Sequence, residues 1–481
     1  MRYPAGVTTG RHPALDRRVG GRKRGLFEAL QEEYATEVGR LATLAAAALT
    51  DASGDGLRIL EIAVRTAVHQ LGAHLLEGLL ALDPGHRGPR VSCGKGHEAS
   101  FVGYRGKRLD TVLGRIELRR AYYHCSECGH GVVPRDEEVG VGGASLSPGL
   151  EAMVARVGAA QPFRKASAAL AELAGVEVNA KAVERSSETT GRALAASISA
   201  RAKAMAEGSL VPLSASGPTI EKLYVAMDGT GVPTVLHDTE GRAGKAPDGR
   251  ARTREVKLAC LFTQTELDEE GHPVRDPGSS SYMATFEGVE AFGSLVFAEA
   301  RRRGSARAGR LTVLGDGAPW IWNLAGQHFP GATQIVDLYH AREHVHDLWA
   351  LVVTGLGKHA ASWLADRLAD LDRGDVVALA AASRSVDLPD EKAAEVEKAL
   401  GYFQTNAARM RYAEFRALGL FVGSGMVEAG CKAVVAQRMK LSGMRWSVRG
   451  ATGIVSLRCE EASGRWEEIW GPIRTQTTGA A

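Results

Sequence analysis

The sequence predicts a mixed α/β core, preceded by a helical region, a small β-rich module and a second helical region. Three observations support this. Short apolar runs alternate with helical patterns between residues 223 and 350. Apolar residues recur at helical spacing in 26–82 and 145–200, and short β-like runs separated by glycine and charges occupy 91–139. The length of 481 residues allows two to four domains at roughly 100–200 residues each.

Composition is that of an ordinary globular protein. The 59 Lys and Arg residues nearly balance the 56 Asp and Glu residues, so net charge does not indicate a nucleic-acid partner. No apolar run approaches the ~18 residues of a membrane span, and the N-terminus lacks the apolar stretch of a secretory signal. We therefore expect a cytoplasmic protein without a membrane partner. Its six cysteines then indicate metal binding more than disulfides.

The first 85 residues predict a basic segment followed by two helices. Residues 1–25 carry seven Arg and Lys against the single acid Asp16, which is typical of a mobile arm that is either solvated or in contact with phosphate. Residues 26–85 read as a pair of amphipathic helices. The second is apolar over much of its circumference, so it needs a partner, from its own chain or from a second protomer. This region is our candidate for dimerisation.

Residues 86–142 predict a zinc-ribbon-like module. A Cys-x-x-Cys turn can present two thiolates to one Zn²⁺ ion, and a second pair nearby would complete a tetrahedron. The first pair in the chain is irregular because it combines a cysteine with a histidine, and His124 and His130 compete as ligands. A metal-free β unit with incidental thiols is the alternative. The expected zinc ligands are Cys93, His97, Cys125 and Cys128.

Residues 143–204 predict a helix, a turn around 175–178 and a second helix with Asn179 as its N-cap. This is the outline of a DNA-binding helix-turn-helix, although helical hairpins without DNA contacts have the same pattern. Residues 205–222 are small, polar and proline-containing, which indicates a linker.

Two apolar runs of the predicted core end at an aspartate followed by glycine. Asp228 follows the first strand candidate and Asp316 the fourth. In a mixed sheet these two strands can be neighbours, which would bring both carboxylates to one edge. Because close carboxylates repel, they favour a divalent cation between them, and oxygen ligands suit Mg²⁺ or Mn²⁺. The third acid we expect is Glu428, which opens a helix after the turn at 423–425.

The segment after Glu428 is basic. No acid occurs between 429 and 449, and an aromatic residue lies among the cations. This pattern predicts a nucleic-acid-binding track beside a metal ligand. The residues of the predicted track are Lys432, Arg438, Lys440, Arg445, Trp446 and Arg449.

Four motifs in this order resemble those of bacterial insertion-sequence DDE transposases of the ISKra-like group, relatives of the Mutator-like transposases. They are MDGTG at 227–231, GDGAPW at 315–320, DLYH at 337–340 and GSGMVEAG at 423–430. The resemblance extends over about 90–465. Only the first zinc pair departs from it, since relatives tend to have two cysteines there.

The resemblance implies a ribonuclease-H-like core, with a first part at 223–340, a helical insertion at 341–420, a second part at 421–465 and a tail at 466–481. It implies that Asp228, Asp316 and Glu428 bind two Mg²⁺ ions. Asp337 and His340 match the Asp-x-x-His motif of Mutator-like relatives, where they would brace the active site or contact the cut strand. A purely structural hydrogen bond is the other interpretation of this pair.

The implied activity is metal-dependent cleavage and strand transfer of double-stranded DNA at the ends of an insertion sequence. A homodimer or higher oligomer would hold two ends together, in association with the bacterial nucleoid. Two alternatives remain open: a domesticated DNA-binding protein without catalysis, and a ribonuclease-H-like nuclease without strand transfer. A glycosidase is a weak alternative because nothing near the carboxylates indicates sugar binding.

Overall fold

The computed structural model describes residues 13–49, 55–210, 219–244 and 246–470. Residues 1–12 of the predicted arm, most of the predicted linker and residues 471–481 of the predicted tail lie outside this range. The chain divides into two compact units. The first contains the residues up to Val157 together with Pro162–Glu184, and the second contains Gly158–Gln161 and Arg185–Ile469.

The first unit begins with two long helices, α1 (Pro13–Leu49) and α2 (Gly56–Ala81). Helix α1 begins at Pro13, so the second half of the segment predicted as a mobile arm is helical. An antiparallel sheet follows in the order β1-β2-β3-β4. Its strands are β1 (Arg90–Ser92), β2 (Glu98–Thr111), β3 (Gly114–His124) and β4 (Gly131–Val132).

Buried and exposed residues alternate along β3, and this alternation explains how the sheet packs. Ile116 and Leu118 are buried, whereas the residues between and beside them face outward. The buried side chains meet Ala73 of α2 and Leu109 of β2 in one apolar cluster. Helix α2 therefore covers one face of the sheet with part of its circumference.

The helical region after the sheet follows the predicted pattern of helix, turn and helix. It consists of α3 (Pro134–Glu138), α4 (Pro148–Ala160), α5 (Phe163–Ala169) with a π-helical extension Leu170–Ala174, and α6 (Ala180–Ala206). Gly175 ends the extension in the left-handed conformation, with φ at 67°. The side chain of Asn179 accepts a hydrogen bond from the Ala182 amide at 2.9 Å, as expected of an N-cap.

The second unit is built on a five-stranded mixed sheet, as the sequence predicts. Its order is β11-β10-β5-β6-β9, and β10 runs parallel to both β5 and β11. The prediction that the first and fourth strands are neighbours is confirmed by this pairing. The strands are β5 (Ile220–Pro233), β6 (Thr253–Gln264), β9 (Ser281–Thr285), β10 (Ala308–Gly315) and β11 (Thr333–Val336), with a separate hairpin of β7 (Glu266–Leu267) and β8 (Pro273–Val274).

Helices connect and flank these strands. Helices α7 (Val289–Arg302) and α8 (Pro319–His328) flank β10 in the chain. The segment predicted as a helical insertion contains most of α9 (Leu338–Leu356) and all of α10 (Ala360–Arg373), α11 (Val376–Arg384), α12 (Asp390–Asn406) and α13 (Tyr412–Ala417). The last elements are α14 (Gly425–Gly430), a π-helical turn Cys431–Ala436, α15 (Gln437–Met439) and α16 (Val448–Ala462). Within the described ranges, no helix has the length and apolar character needed to cross a membrane.

Helices α6 and α16 approach so closely that glycines are required at the crossing. A Cβ atom placed on Gly191 would lie 2.1 Å from the carbonyl oxygen of Gly453. One placed on Gly453 would lie 2.5 Å from the carbonyl oxygen of Glu188. Because both obstacles are backbone atoms, a side chain could be accommodated only by separating the helices.

We expect Gly453→Ala to lower the free energy of unfolding by about 1–3 kcal/mol, the usual cost of overpacking a core. The matched control is Gly326→Ala in α8, where no heavy atom lies within 4 Å of the added Cβ. That change should be neutral or stabilising by up to about 1 kcal/mol, since alanine has the higher helix propensity. Chemical denaturation of both variants measures the difference, and equal stabilities would contradict the close helix contact.

Candidate active site and metal centre

Asp228 lies at the edge of the sheet where β10 stops pairing with β5. The sequence analysis expected it to end its strand, but β5 continues to Pro233, still paired with β6. The β10 pairing ends earlier, at Ala226 opposite Leu314. Asp228 is therefore the second residue beyond the parallel pairing, and its partly buried side chain stands where one neighbouring strand is missing.

The Asp228 carboxylate has two hydrogen-bond donors. Oδ1 accepts from the Gly229 amide at 2.6 Å, and Oδ2 accepts from Sγ of Cys431 at 3.4 Å. Burial raises the pKa of the Asp228 carboxyl above its usual range, and the charge of Asp316 acts in the same direction. The two hydrogen bonds and the nearby His340 only partly oppose this.

Asp316 follows the last residue of β10 and begins a tight turn. Its Oδ1 accepts a hydrogen bond from the Ala318 amide at 2.9 Å. Its main-chain oxygen accepts one from the hydroxyl of Tyr402 at 3.0 Å. Gly317 has φ at 101°, in the left-handed region that favours glycine. Since β10 and β5 are parallel neighbours, Asp316 and Asp228 lie at the same edge of the sheet.

Glu428 lies in α14, one helical turn before Cys431. Its exposed side chain accepts a hydrogen bond from the Ser424 hydroxyl at 3.3 Å. Burial raises the pKa of the Cys431 thiol, and the charges of Asp228 and Glu428 add to this effect. The contact between Cys431 and Asp228 therefore brings the helix that carries Glu428 to the edge of the sheet that carries both aspartates.

The three carboxylates are nonetheless a looser group than the metal cage expected from the sequence. In the described part of the chain, their oxygens do not all lie within 4.8 Å of one another. Three carboxylates offer the hard oxygen ligands that Mg²⁺ and Mn²⁺ take, so the chemistry of the donors fits. For one ion to bind all three carboxylates, these side chains would have to move closer together.

Asp337 is buried and has a structural function. Its Oδ1 accepts from the His340 amide at 2.6 Å as the N-cap of α9, and its Oδ2 accepts from the Ser424 amide. Its own amide donates to the carbonyl of Gly315 at 2.8 Å. Asp337 thus connects the end of β10 with the turn that starts the Glu428 helix.

The imidazole of His340 contacts groups on and near its own helix. Its Nδ1 is 3.2 Å from a carboxylate oxygen of Glu343, and its ring meets His344 edge-on at 4.9 Å. Its charge also lowers the pKa of Asp228, although burial has the larger, opposite effect. The His340 imidazole therefore lies near Asp228. Within the described residues, it has no hydrogen bond to Asp228 or to Asp316.

Four members of the predicted basic track are exposed: Lys432, Lys440, Arg445 and Arg449. The predictions for Arg438 and Trp446 as DNA contacts are wrong. Arg438 is completely buried, and its guanidinium donates to the Gly158 carbonyl at 3.1 and 3.0 Å. Trp446 is 4% exposed, lies 4.8 Å from that guanidinium and donates its indole N–H to Met439.

The burial of Arg438 has a clear physical reason. Gly158 is in the last turn of α4, where carbonyl groups lack helical partners and carry partial negative charge. Arg458 binds the same helix end through Ala159 at 2.9 Å. The two guanidinium groups therefore cap α4 within the second unit. Sequence alone shows a cation at position 438, but not that its acceptor is 280 residues away.

The four predicted zinc ligands come together in the first unit. The ligand atoms of Cys93, His97, Cys125 and Cys128 all lie within 4.8 Å of one another, so this prediction of a cluster is confirmed. Each pair of ligands lies in a tight turn, in which the Cys93 amide donates to the His97 carbonyl at 3.0 Å and the Cys125 amide to the His130 carbonyl at 2.9 Å. Of the competing histidines, neither His124 nor His130 belongs to the set.

Within this cluster, the electrostatics favour a metal-binding thiolate at Cys93. The pKa of Cys128 is instead raised, because a hydrogen bond from the His130 amide is outweighed by burial and by the neighbouring thiols. Burial alone would raise the pKa of Cys93, but hydrogen bonds from the amides of Lys95 and His97 and from the other two thiols lower it to about 7. Cys₃His is a donor set of structural zinc sites, and thiolates are the form that binds the metal. The cluster could therefore hold a metal such as zinc.

Two residues that touch the carboxylate site were missed by the sequence analysis. Cys431 could have been found, because it follows Glu428 by three residues and so shares its helical face. Tyr402 could not, because it is 86 residues from the aspartate whose backbone it contacts. Nothing in the surrounding helical pattern sets it apart.

Comparisons with known proteins are limited. A family described as "Uncharacterised protein family (UPF0236)" matches residues 95–211, which include three of the four Cys and His ligands but none of the three carboxylates. None of the curated proteins matches the chain. A solved structure titled "Drosophila P element transposase strand transfer complex" aligns with 55% of this chain and 69% of its own, at 9% identity and a TM-score of 0.18. So weak a superposition supports no conclusion about fold or function.

The Cys and His cluster gives a first prediction for this site. Cys125→Ser should abolish binding of one equivalent of zinc and destabilise the first unit, because a structural zinc contributes directly to folding. His124→Ala is the matched control, since it removes an adjacent exposed histidine that is outside the cluster. Zinc content by elemental analysis, together with thermal unfolding, gives the result. Equal zinc content in both variants would refute the assignment.

The raised pKa of Asp228 gives a second prediction. A carboxyl whose pKa is higher in the folded protein costs stability once it ionises, so Asp228→Asn should raise the melting temperature at pH 7 without Mg²⁺ or Mn²⁺. The gain should shrink towards pH ~4, near the unfolded pKa of aspartate. Asp366→Asn, at an exposed position in α10, should show no such gain. A lower melting temperature for Asp228→Asn at pH 7 would contradict the argument.

Proposed function

We propose that this protein is a DDE transposase that cleaves and joins double-stranded DNA at the ends of an insertion sequence. The observation that carries the proposal is the meeting of three elements at one sheet edge. Asp228 and Asp316 arrive on adjacent parallel strands, and the Glu428 helix reaches them through the Cys431 contact. The order β11-β10-β5-β6-β9, with β6 antiparallel to its neighbours, supports a ribonuclease-H-like core.

The three carboxylates would hold the divalent ions, Mg²⁺ or Mn²⁺. When bound, two such ions would supply the Lewis acidity that activates a water or a DNA 3′-hydroxyl and that stabilises the leaving oxygen at phosphorus. The protein's own contribution is to place the carboxylates. The Gly229 and Ala318 amides orient Asp228 and Asp316, and Asp337 fixes the turn before Glu428. Cleavage and joining can use the same site in succession, without a covalent intermediate.

DNA would be held by the exposed cations that follow Glu428. Lys432, Lys440, Arg445 and Arg449 are available to phosphate groups, since a guanidinium or ammonium group at the surface gains affinity by releasing counterions from DNA. Lys440 also lies 2.5 Å from the Thr230 hydroxyl, close to Asp228 in the chain. We propose that the helix-turn-helix formed by α5 and α6 is a second contact with DNA. The Cys and His module, which precedes it in the chain, would bind zinc.

We also propose that the protein acts as a dimer or higher oligomer. Helix α2 leaves several large apolar side chains exposed, including Leu57 at 70% and Val68 at 57%. Exposed apolar side chains that share one helix are typical of an interaction surface. A pair of protomers would hold two DNA ends at once.

Replacing Asp316 tests the proposed activity. In Mg²⁺, with DNA that flanks the gene, Asp316→Asn should reduce cleavage and joined products by roughly 100-fold or more, since a lost metal ligand removes several kcal/mol of transition-state stabilisation. Asp366→Asn, at an exposed position in α10, should keep normal activity.

The product pattern separates the alternatives. Cleaved DNA without joined strands would favour a ribonuclease-H-like nuclease. Binding of the DNA with no product in Mg²⁺ or Mn²⁺, from the unmodified protein and Asp316→Asn alike, would favour a DNA-binding protein without catalysis. Unchanged products from Asp316→Asn would refute the assignment of this carboxylate.

A further inference from the structure

Tyr402 joins the helical insertion to the turn that carries Asp316. It lies in α12, and its hydroxyl donates a hydrogen bond to the main-chain oxygen of Asp316 at 3.0 Å. The bond reaches the backbone and occupies neither carboxylate oxygen of Asp316. Tyr402 can therefore fix where the aspartate stands without occupying its ligand atoms.

The ring of Tyr402 also fits against Gly317 so closely that only glycine is tolerated. A Cβ atom on Gly317 would lie 2.7 Å from Cε2 of the ring and 3.0 Å from its hydroxyl oxygen. Gly317 is also in the left-handed region, which disfavours any other residue. The turn at Asp316 thus contacts Tyr402 in two ways, through the hydrogen bond to the Asp316 main-chain oxygen and through the packing of Gly317 against the ring.

Other aromatic side chains of the insertion also pack against the Tyr402 ring. The imidazole of His344 in α9 lies over it, with ring centroids 3.8 Å apart and planes tilted by 32°. Phe403 meets it edge-on at 5.4 Å. Burial raises the pKa of the Tyr402 hydroxyl, and the charges of Asp316 and Asp337 act in the same direction. The hydroxyl therefore stays protonated and remains a donor throughout the neutral range.

We propose that Tyr402 is a positioning residue for Asp316, so that the helical insertion is a working part of the carboxylate site. The proposal rests on the proposed function for its catalytic meaning, but its structural part stands on the contacts alone. Apart from the Tyr402 bond, the hydrogen bonds that described residues make to the Asp316 turn are of two kinds. Some are local, such as the bond from the Ala318 amide to Oδ1 of Asp316, and the other comes from the Asp337 amide, which donates to the Gly315 carbonyl. Loss of the tyrosine hydroxyl should let the turn open.

A matched pair of Tyr→Phe variants isolates this effect. Tyr402→Phe keeps the ring and removes the hydrogen bond. Tyr412→Phe removes a fully buried hydroxyl that has no hydrogen-bond partner among the described residues. Both changes delete one oxygen in the same helical insertion, so general effects on its stability can be compared directly. Thermal unfolding of both variants checks that each is folded.

The first measurement is amide hydrogen exchange in the 312–322 segment without divalent metal. Tyr402→Phe should speed exchange there by up to about tenfold, the effect of one lost hydrogen bond. Tyr412→Phe should leave it unchanged. This exchange measurement needs no catalytic activity, so its result tests the role of Tyr402 even if the proposed function is wrong. Unchanged exchange in Tyr402→Phe, or equal acceleration in both variants, would overturn the proposal.

The second measurement is the Mg²⁺ dependence of single-turnover DNA cleavage. A misplaced Asp316 should raise the Mg²⁺ concentration for half-maximal rate by up to about tenfold in Tyr402→Phe, with part of the rate recovered at saturating metal. A mere loss of folded protein would lower the maximal rate and leave that concentration unchanged, and this outcome would overturn the proposal. Absence of cleavage by the unmodified protein would count against the proposed function only, and exchange would then decide about Tyr402.

Discussion

The parallel pairing of β5 with β10 is the constraint on which the rest of the second unit depends. It brings two aspartates to one edge of the sheet, where each is followed by a glycine. Burial makes ionisation of Asp228 costly, and repulsion from the Asp316 carboxylate adds to that cost. A protein gains no stability from such an arrangement, so the surrounding contacts are best understood as holding it in place.

Those contacts come from distant parts of the chain and converge on the backbone around the acids. Asp337 joins the end of β10 to the turn before Glu428, and Cys431 donates to Asp228. Tyr402 adds a contact from the insertion. Each of these links orients a neighbour of a carboxylate or donates to it, and none takes a carboxylate oxygen of Asp316 or Glu428. Asp337 and Tyr402 therefore fix the backbone beside the acids without occupying the carboxylate oxygens of Asp228, Asp316 or Glu428.

Sequence patterns predicted the parts of this structure that depend on local chemistry. Apolar runs and helical periods gave the order of strands and helices, and the spacing of Cys125 and Cys128 indicated the metal-binding cluster. Burial of charge was not predictable in the same way. Arg438 looks like a surface cation in sequence, and only the fold shows the helix end that accepts it. Likewise, the chain gives no sign that β5 continues past Asp228, because its extra residues pair only with β6.

The capping of α4 by Arg438 and Arg458 bears on how this protein can be divided. The boundary between the two units falls inside that helix, so the second unit includes the short piece Gly158–Gln161. A fragment that started at the linker would keep all three carboxylates but lose the carbonyl groups of Gly158 and Ala159. The completely buried guanidinium of Arg438 and the partly buried one of Arg458 would then lack these acceptors, at a cost of several kcal/mol. The part of the chain that carries the three carboxylates is therefore poorly suited to independent inheritance or transfer as a module, because residues before the linker supply part of its interior.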